Sequence, residues 1–474
     1  MKKRTSFLLL APIVLCSCGG TSSASSSSLS SSASSSSLSS SSRISWSEES
    51  YATGLVDGQY TFDFRSRLLM DEDGSPYQLH YTIPYQEDFF LLDGRQFHQE
   101  LALLSVSYAI SANNKKQTEE FFVTLGFDHI FHSPDYDAAE SADTVRYSFA
   151  HKSIDGHDLV AVMMDAQAYF KPWANNVVIG KEGNAVGFQI AADRVLPYLE
   201  EYLEKYAQNT AKIWITGYSR SAAIADILSQ SLLERDIVRE ENLYHYGFGA
   251  PAVIDASHLQ PHACIHNIRV GTSLLSSFYP ECFGLAHGGN VIDIYDERAS
   301  DIVADFDPRV TLPEFIPDSE YYNNDAEYLD LILSSLTVKV DVEGEGYVPD
   351  MHDRSSYVDN NYESYLSYVI GKAMSLSLAA RTELLESFQE NAVKLITLNG
   401  LYHLLKTVLD KNGIPYDDEY LKTATNSLVR FLTTDVPITM YLVSSKKGKS
   451  NFVRALAMHA PEVFFPLLLN YFSK

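Results

Sequence analysis

A serine hydroxyl does chemistry at neutral pH only when a turn exposes it, a base takes its proton and N–H donors meet the charge on the attacked oxygen. Gly217-Tyr218-Ser219-Arg220-Ser221 is placed to meet the first demand. The apolar run Lys212 to Thr216 (KIWIT) precedes it, and Ala222 to Leu233 (AAIADILSQSLL), with helical period, follows. Strand, tight turn, helix is the setting in which G-x-S-x-G presents a nucleophile, and the N–H of the next residue, here Arg220, becomes an oxyanion donor. Ser221 stands where the pattern has its second glycine, a small residue that serves if the backbone there needs no positive φ.

A general base is next to find. His352, in Asp350-Met351-His352-Asp353-Arg354-Ser355-Ser356-Tyr357, comes after the serine in order and is the first candidate. His459, in MHAPEVFF ahead of a closing helical run, is the alternative base. Metal chemistry has weaker support. His258, His262 and His266 are four apart, but Pro261 interrupts any helix that would stack them, Ile265 to Val270 reads as strand, and no Cys or H-E-x-x-H pattern completes a ligand set, so no metal is expected. No phosphate loop or dinucleotide fingerprint is present, and no cofactor is expected.

Elements must hold these residues in place. Leu101 to Asn113 and Glu119 to Phe127 read as flanking helices, and Leu159 to Met164 (LVAVMM) as a strand covered on both faces. Gly187 to Tyr206 reads as a helix, and Tyr244 to Phe248, Ile265 to Val270 and Asn290 to Tyr295 as further strands. Strands alternating with helices predict an α/β fold with a mainly parallel sheet. From Tyr362 onward helical period takes over, for example in Leu395 to Leu409 and Tyr420 to Leu432, and predicts a helical lobe or cap over 361–474. Asp301 to Asp330, acidic and holding Pro308, Pro313 and Pro317, reads as a solvated insertion. The aromatic pairs Tyr321-Tyr322, Phe464-Phe465 and Tyr471-Phe472 suit a core, an acyl pocket or a lipid surface.

Four segments in order resemble the class 3 (fungal-type) lipases over about 101–357. TGYSRSAAIAD is similar to that family's nucleophile elbow, YHYGFGAPAV to a following strand and turn, HNIRVGTSLLSSFYPECFGLAHGGNVIDI to the stretch carrying its acid, and MHDRSSY to its late His and Tyr. The resemblance implies an α/β-hydrolase-type sheet with flanking helices over 46–360, an ester or lipid substrate, and a Ser-His-acid triad. It also implies an oxyanion residue where this chain has Gln167, in Asp165-Ala166-Gln167 ahead of Trp173-Ala174-Asn175. At the acid's aligned position stands Ser273, whose neutral hydroxyl cannot stabilise an imidazolium as a carboxylate does. Glu281, Asp293 and Asp296 are the nearest acids in sequence.

The N-terminus speaks to location. Met1-Lys2-Lys3-Arg4 is a basic start, and the apolar Phe7 to Leu15 is too short to span a bilayer. Leu15-Cys16-Ser17-Cys18 resembles the bacterial lipobox, so 1–17 is expected to be a lipoprotein signal peptide. Cys18 is then a diacylated anchor on the extracytoplasmic face of a bacterial cell membrane. Residues 18–45, with ASSSSLSSS repeated, read as a flexible tether. The formal charge of −25 becomes about −28 once Lys2, Lys3 and Arg4 leave, and no basic patch offers a nucleic-acid surface. Export permits a disulfide between Cys264 and Cys282, and two buried thiols fit equally well. Two functions follow: a membrane-anchored carboxylic ester hydrolase, or a lipase-like surface lipoprotein that has lost catalysis and binds.

Overall fold

The computed structural model describes residues 54–474 apart from 71–75, 112–113, 138–144, 165–171, 208, 278, 280–282, 336–338, 343–345, 350–353, 355–361, 378, 382, 385–386, 388–394, 396, 398 and 436–444. Cys18, the residue expected to carry the lipid, and Gln167, Glu281, Cys282 and His352 therefore lie outside the described residues.

Strands β1 (Gly54–Val56), β2 (Gln59–Met70) and β3 (Pro76–Pro84) form an antiparallel sheet of their own. The central sheet has seven strands: β4 (Asp128–His132), β5 (Tyr147–Ile154), β6 (His157–Met164), β7 (Ala211–Tyr218), β8 (Leu243–Phe248), β10 (Ile265–Arg269) and β12 (Asn290–Asp293). Small pairs are made by β9 (Ile254–Asp255) with β11 (Leu285–Ala286), and by β13 (Lys339–Val342) with β14 (Gly346–Pro349). In the central sheet the order is β12-β10-β8-β7-β6-β5-β4, parallel from β6 to β12 and antiparallel across β4, β5 and β6. The mainly parallel α/β-hydrolase-type sheet expected from the sequence is present, and β7 lies at its centre.

Helices cover both faces, which is why β6, β7 and β8 are apolar runs without alternation. The helices are α1 (Gln99–Ser111), α2 (Lys115–Thr124), α3 (Val186–Tyr206), α4 (Arg220–Glu234), α5 (Ala299–Phe306), α6 (Asp325–Ser335), α7 (Tyr362–Met374), α8 (Gly400–Lys411), α9 (Asp418–Asp435), α10 (Lys446–Ala457) and α11 (Pro461–Phe472). One core joins the sheet to α3, α4, α7, α8 and α9. The other joins it to α1, the β2–β3 hairpin, α5 and α11. α1 is buried on every side from Leu101 to Ser111, because it lies between the central sheet and the hairpin. The one polar group of Trp214 is satisfied there: its indole N–H donates to Ser105 Oγ at 2.8 Å.

The last two helices divide between the cores: Ala455 and Leu456 of α10 join the first, and α11 joins the second. Pro461 starts α11 where its missing N–H costs nothing. Phe464 packs against Tyr218 and Phe248, and Phe465 against Phe62 and Tyr81, so this aromatic pair is core. Tyr322 is likewise buried, whereas Tyr321 and Tyr471 are exposed. No single described helix is long and apolar enough to cross a membrane; α10 and α11 pass only as a pair bent by 68°. Cys264 is a buried free thiol, pushed up to about 12 by desolvation.

Candidate active site

β7 ends at Tyr218 and α4 begins at Arg220, so Ser219 alone makes the turn. Its backbone sits at φ 59°, ψ −122°, a left-handed conformation that side chains other than glycine rarely adopt. Holding it there costs about 1–3 kcal/mol, and such strain persists only where the surroundings over-determine it. Two bonds do so: Ser219 N–H donates to Phe248 O at 2.7 Å, and Ser219 O accepts from Ala223 N at 3.2 Å, opening the helix. The side chain is half-buried at the C-terminal edge of the sheet.

Both flanking small residues have a physical reason. A Cβ on Gly217 would stand 2.5 Å from Ser221 C and 2.6 Å from Ser221 O, so only glycine lets the helix start so close to the strand. Ser221 is not among the positive-φ residues, and the turn asks no glycine of that position. Its hydroxyl instead accepts from Tyr218 N at 3.0 Å and donates to Tyr218 O at 2.8 Å. The residue that breaks the motif thus ties the turn shut.

Arg220 supplies the backbone N–H at the expected oxyanion position, and its buried side chain braces the neighbouring loop. Its Nη1 donates to Asn176 Oδ1 and its Nη2 to Gly187 O at 3.5 Å, with the guanidinium 5.0 Å from the Phe188 ring centre. Asn176 lies in the helical turn Pro172–Val177, directly after the stretch that holds Gln167.

His459 comes to this turn from the far end of the chain. It sits between α10 and α11, buried, with Tyr218 Oη donating to its carbonyl and the Tyr218 ring 5.2 Å from its own. Gly249, next after the Phe248 that holds Ser219, gives it room: φ is 62°, and a Cβ there would stand 2.6 Å from His459 Cε1. Ser273 Oγ lies 3.3 Å from His459 Nδ1. The histidine read from the sequence as the alternative base therefore joins the serine at the degenerate acid position. Of His352's surroundings, Arg354 two residues on is described; it donates to Lys181 O and Gly183 O, at 3.2 and 2.9 Å.

Two of the neighbouring acids are engaged elsewhere. Asp293 Oδ1 accepts from Gly271 N at 2.9 Å and Tyr295 N at 3.0 Å. Lys474 and Arg298 hold the Asp296 carboxyl far below the usual range. A third acid, Asp226, is wholly buried in α4, where desolvation pushes it up to about 6 against the bonds it accepts from Gly288 N (2.9 Å) and Asn267 Nδ2 (3.1 Å). These bonds tie β10, and so the Ser273 loop that follows it, to the helix that follows Ser219.

The three spaced histidines are not gathered. His262 Nδ1 contacts Glu240 at 2.9 Å, His266 packs on Phe97 and Tyr246, and His258 contacts Ser257.

Because Gly249 makes room for the imidazole, Gly249→Ala should move it. The expected result is a loss of about 1–3 kcal/mol in stability from the strained φ. Displacing a catalytic group by about 1 Å should add a roughly 10²-fold fall in ester hydrolysis. Thermal melts beside kcat on a short p-nitrophenyl ester measure both; an unchanged kcat would remove His459 from the site.

Residues 136–270 match one family model, described as lipase (class 3). The resemblance read from the sequence holds over that segment, which contains the turn at Ser219 and ends just before Ser273. Among solved structures, the lipase from Rhizopus microsporus var. chinensis is 16% identical, with a TM-score of 0.31, over 44% of this chain and 75% of that one. The nonglycosylated LIP2 lipase of Yarrowia lipolytica is 14% identical, with a TM-score of 0.27, over 44% and 80%. No curated protein matches the chain by sequence.

Proposed function

We propose that this chain, lipase-like over 136–270, is a carboxylic ester hydrolase with Ser219 as nucleophile and His459 as base. The observation that carries the reading is the strained, half-buried Ser219 at the end of β7, with His459 packed on Tyr218 and Gly249 and bonded to Ser273. Ser219 Oγ attacks the ester carbonyl carbon as its proton passes to the imidazole, and the carbonyl oxygen takes the negative charge. The Arg220 N–H meets that charge, with the segment around Gln167 as the source of a second donor. The imidazolium then gives its proton to the departing alkoxide. Water, activated by the same ring, frees the acid and restores the serine.

Ser273 orients the ring through Nδ1 but brings no charge, so the enzyme is expected to be slow. Loss of the acid costs about 10⁴ in the serine-protease triad the handling of protons here parallels. A second reading rests on the same serine: a lipase-like lipoprotein that binds without turnover. In either reading the Cys18 lipid holds the domain at the outer face of a membrane, where two acyl chains give durable attachment and the serine tether sets its reach.

The test is covalent. A fluorophosphonate probe should label the wild-type protein and leave Ser219→Ala unlabelled, with hydrolysis of short p-nitrophenyl esters lost in parallel. Absence of Ser219-dependent labelling and turnover would leave the binding reading.

A further inference from the structure

The opposite end of the sheet carries a second cluster. β4 is the edge strand, and its pairing with β5 slips between Asp128 and Phe131. Inside that irregularity His129 adopts φ 50°, a strained value for a non-glycine residue, and bulges at sheet edges commonly re-aim a side chain. The result brings His129 Nε2 to 3.9 Å and His151 Nδ1 to 3.0 Å from one oxygen of Asp128, and the donor atoms of the three residues all lie within 4.8 Å of one another.

We infer that Asp128, His129 and His151 form a binding site for a divalent transition-metal ion of the zinc class. Ligand atoms at about 2.1 Å from a tetrahedral ion stand about 3.4 Å apart, so side-chain shifts on the order of 1 Å close the observed triangle around one. Two imidazoles and one carboxylate suit zinc and its first-row neighbours rather than calcium or magnesium, which take oxygen. Solvent fills the fourth position, since the Asp128 and His129 side chains are 63% and 51% exposed.

The second observation is the support behind the ligands. His151, buried, meets Asp158 Oδ1 through Nε2 at 3.0 Å. Asp158 is in turn held by Asn209, whose backbone N–H donates at 2.7 Å and side-chain amide at 3.1 Å. A carboxylate on the far nitrogen fixes the tautomer that leaves Nδ1 free to bind metal, the usual arrangement around metal-bound histidine. His129 is braced as well, its ring stacked 4.5 Å from that of Tyr206 and its carbonyl accepting from Tyr202 Oη at 2.7 Å.

The ion would clip an edge strand to the sheet and take no part in ester chemistry. Asp158 pairs with Ala211, the first residue of β7, while Ser219 follows the last, and seven steps along a strand span about 23 Å. The competing state is a His151 ring hydrogen-bonded between two carboxylates without any metal.

The full-length chain, stripped with EDTA in detergent, is titrated with Zn²⁺ against a chromophoric chelator, with thermal melts at each loading. One ion per chain is expected, with a rise in Tm. His129→Ala, at an exposed position that leaves the fold intact, should abolish the Tm rise and weaken binding at least 100-fold, and Asp158→Asn should weaken it 10- to 100-fold. Equal affinity in wild type and His129→Ala, or no saturable binding in wild type, overturns the site and leaves a His151 ring hydrogen-bonded to its two carboxylates alone.

Discussion

Ser273→Asp is expected to raise kcat on a short p-nitrophenyl ester by about 10²- to 10⁴-fold, the span set by what a missing triad acid costs. Ser273 Oγ already lies 3.3 Å from His459 Nδ1, so the new carboxylate arrives within reach of the ring. Its burial is the opposing term, because Ser273 is fully enclosed and an unpaired charge there would be costly. Thr272 Oγ1 and Ser276 Oγ, one and three residues away in sequence, are both buried and without a hydrogen-bond partner among the described residues. The sign of the pH response is set as well. A carboxylate beside the imidazole favours its protonated form, so the pH at which the base loses its proton rises and the acidic limb of the rate profile moves up. A variant that folds, labels at Ser219 and shows neither a faster rate nor a displaced profile would end the assignment of Ser273 to the acid's place.

His459→Ala should lower both kcat and the rate of fluorophosphonate labelling by about 10³-fold or more, since the serine then has no base. On the assignment of His459 as base, His352→Ala should stay within about threefold of wild type. Residues that act as one unit do not add, so Ser219→Ala with His459→Ala should fall no lower than Ser219→Ala alone. A deep loss in His352→Ala with activity kept in His459→Ala would transfer the role to His352.

The parts of this fold that were readable are those whose neighbours dictate pattern. β6 and β7 are covered on both faces and read as apolar runs; α3 has one buried face and reads by period, while α4, buried without a break from Arg220 to Gln230, reads by its small and apolar helix formers. The β2–β3 hairpin was passed over, although Tyr60, Phe62 and Phe64 alternate with polar residues against Leu79, Tyr81 and Ile83; its alternation marked it as a half-buried pair. At the site, Ser219 was legible because strand, turn and helix are local. The approach of His459 to that turn was not, because it depends on contacts between residues more than 180 positions apart, which periodicity does not carry. Ser221 reads in the sequence as a small residue that the elbow tolerates, and the structure adds that its hydroxyl bonds close the turn. The edge cluster at Asp128 escaped the sequence because its histidines are 22 residues apart and meet only through strand pairing.

The hydroxyl of Tyr218 and the carbonyl of His459 are separated by 241 residues of chain. Between them come α4, the Ser273 loop, the helices α5 to α9 and the whole of α10, so the contact forms only after all of these have been made. On the proposed assignment, a chain cut before α10 keeps the strand, turn and helix around Ser219 but lacks the imidazole that docks on Tyr218, and is expected to carry the serine without ester hydrolysis.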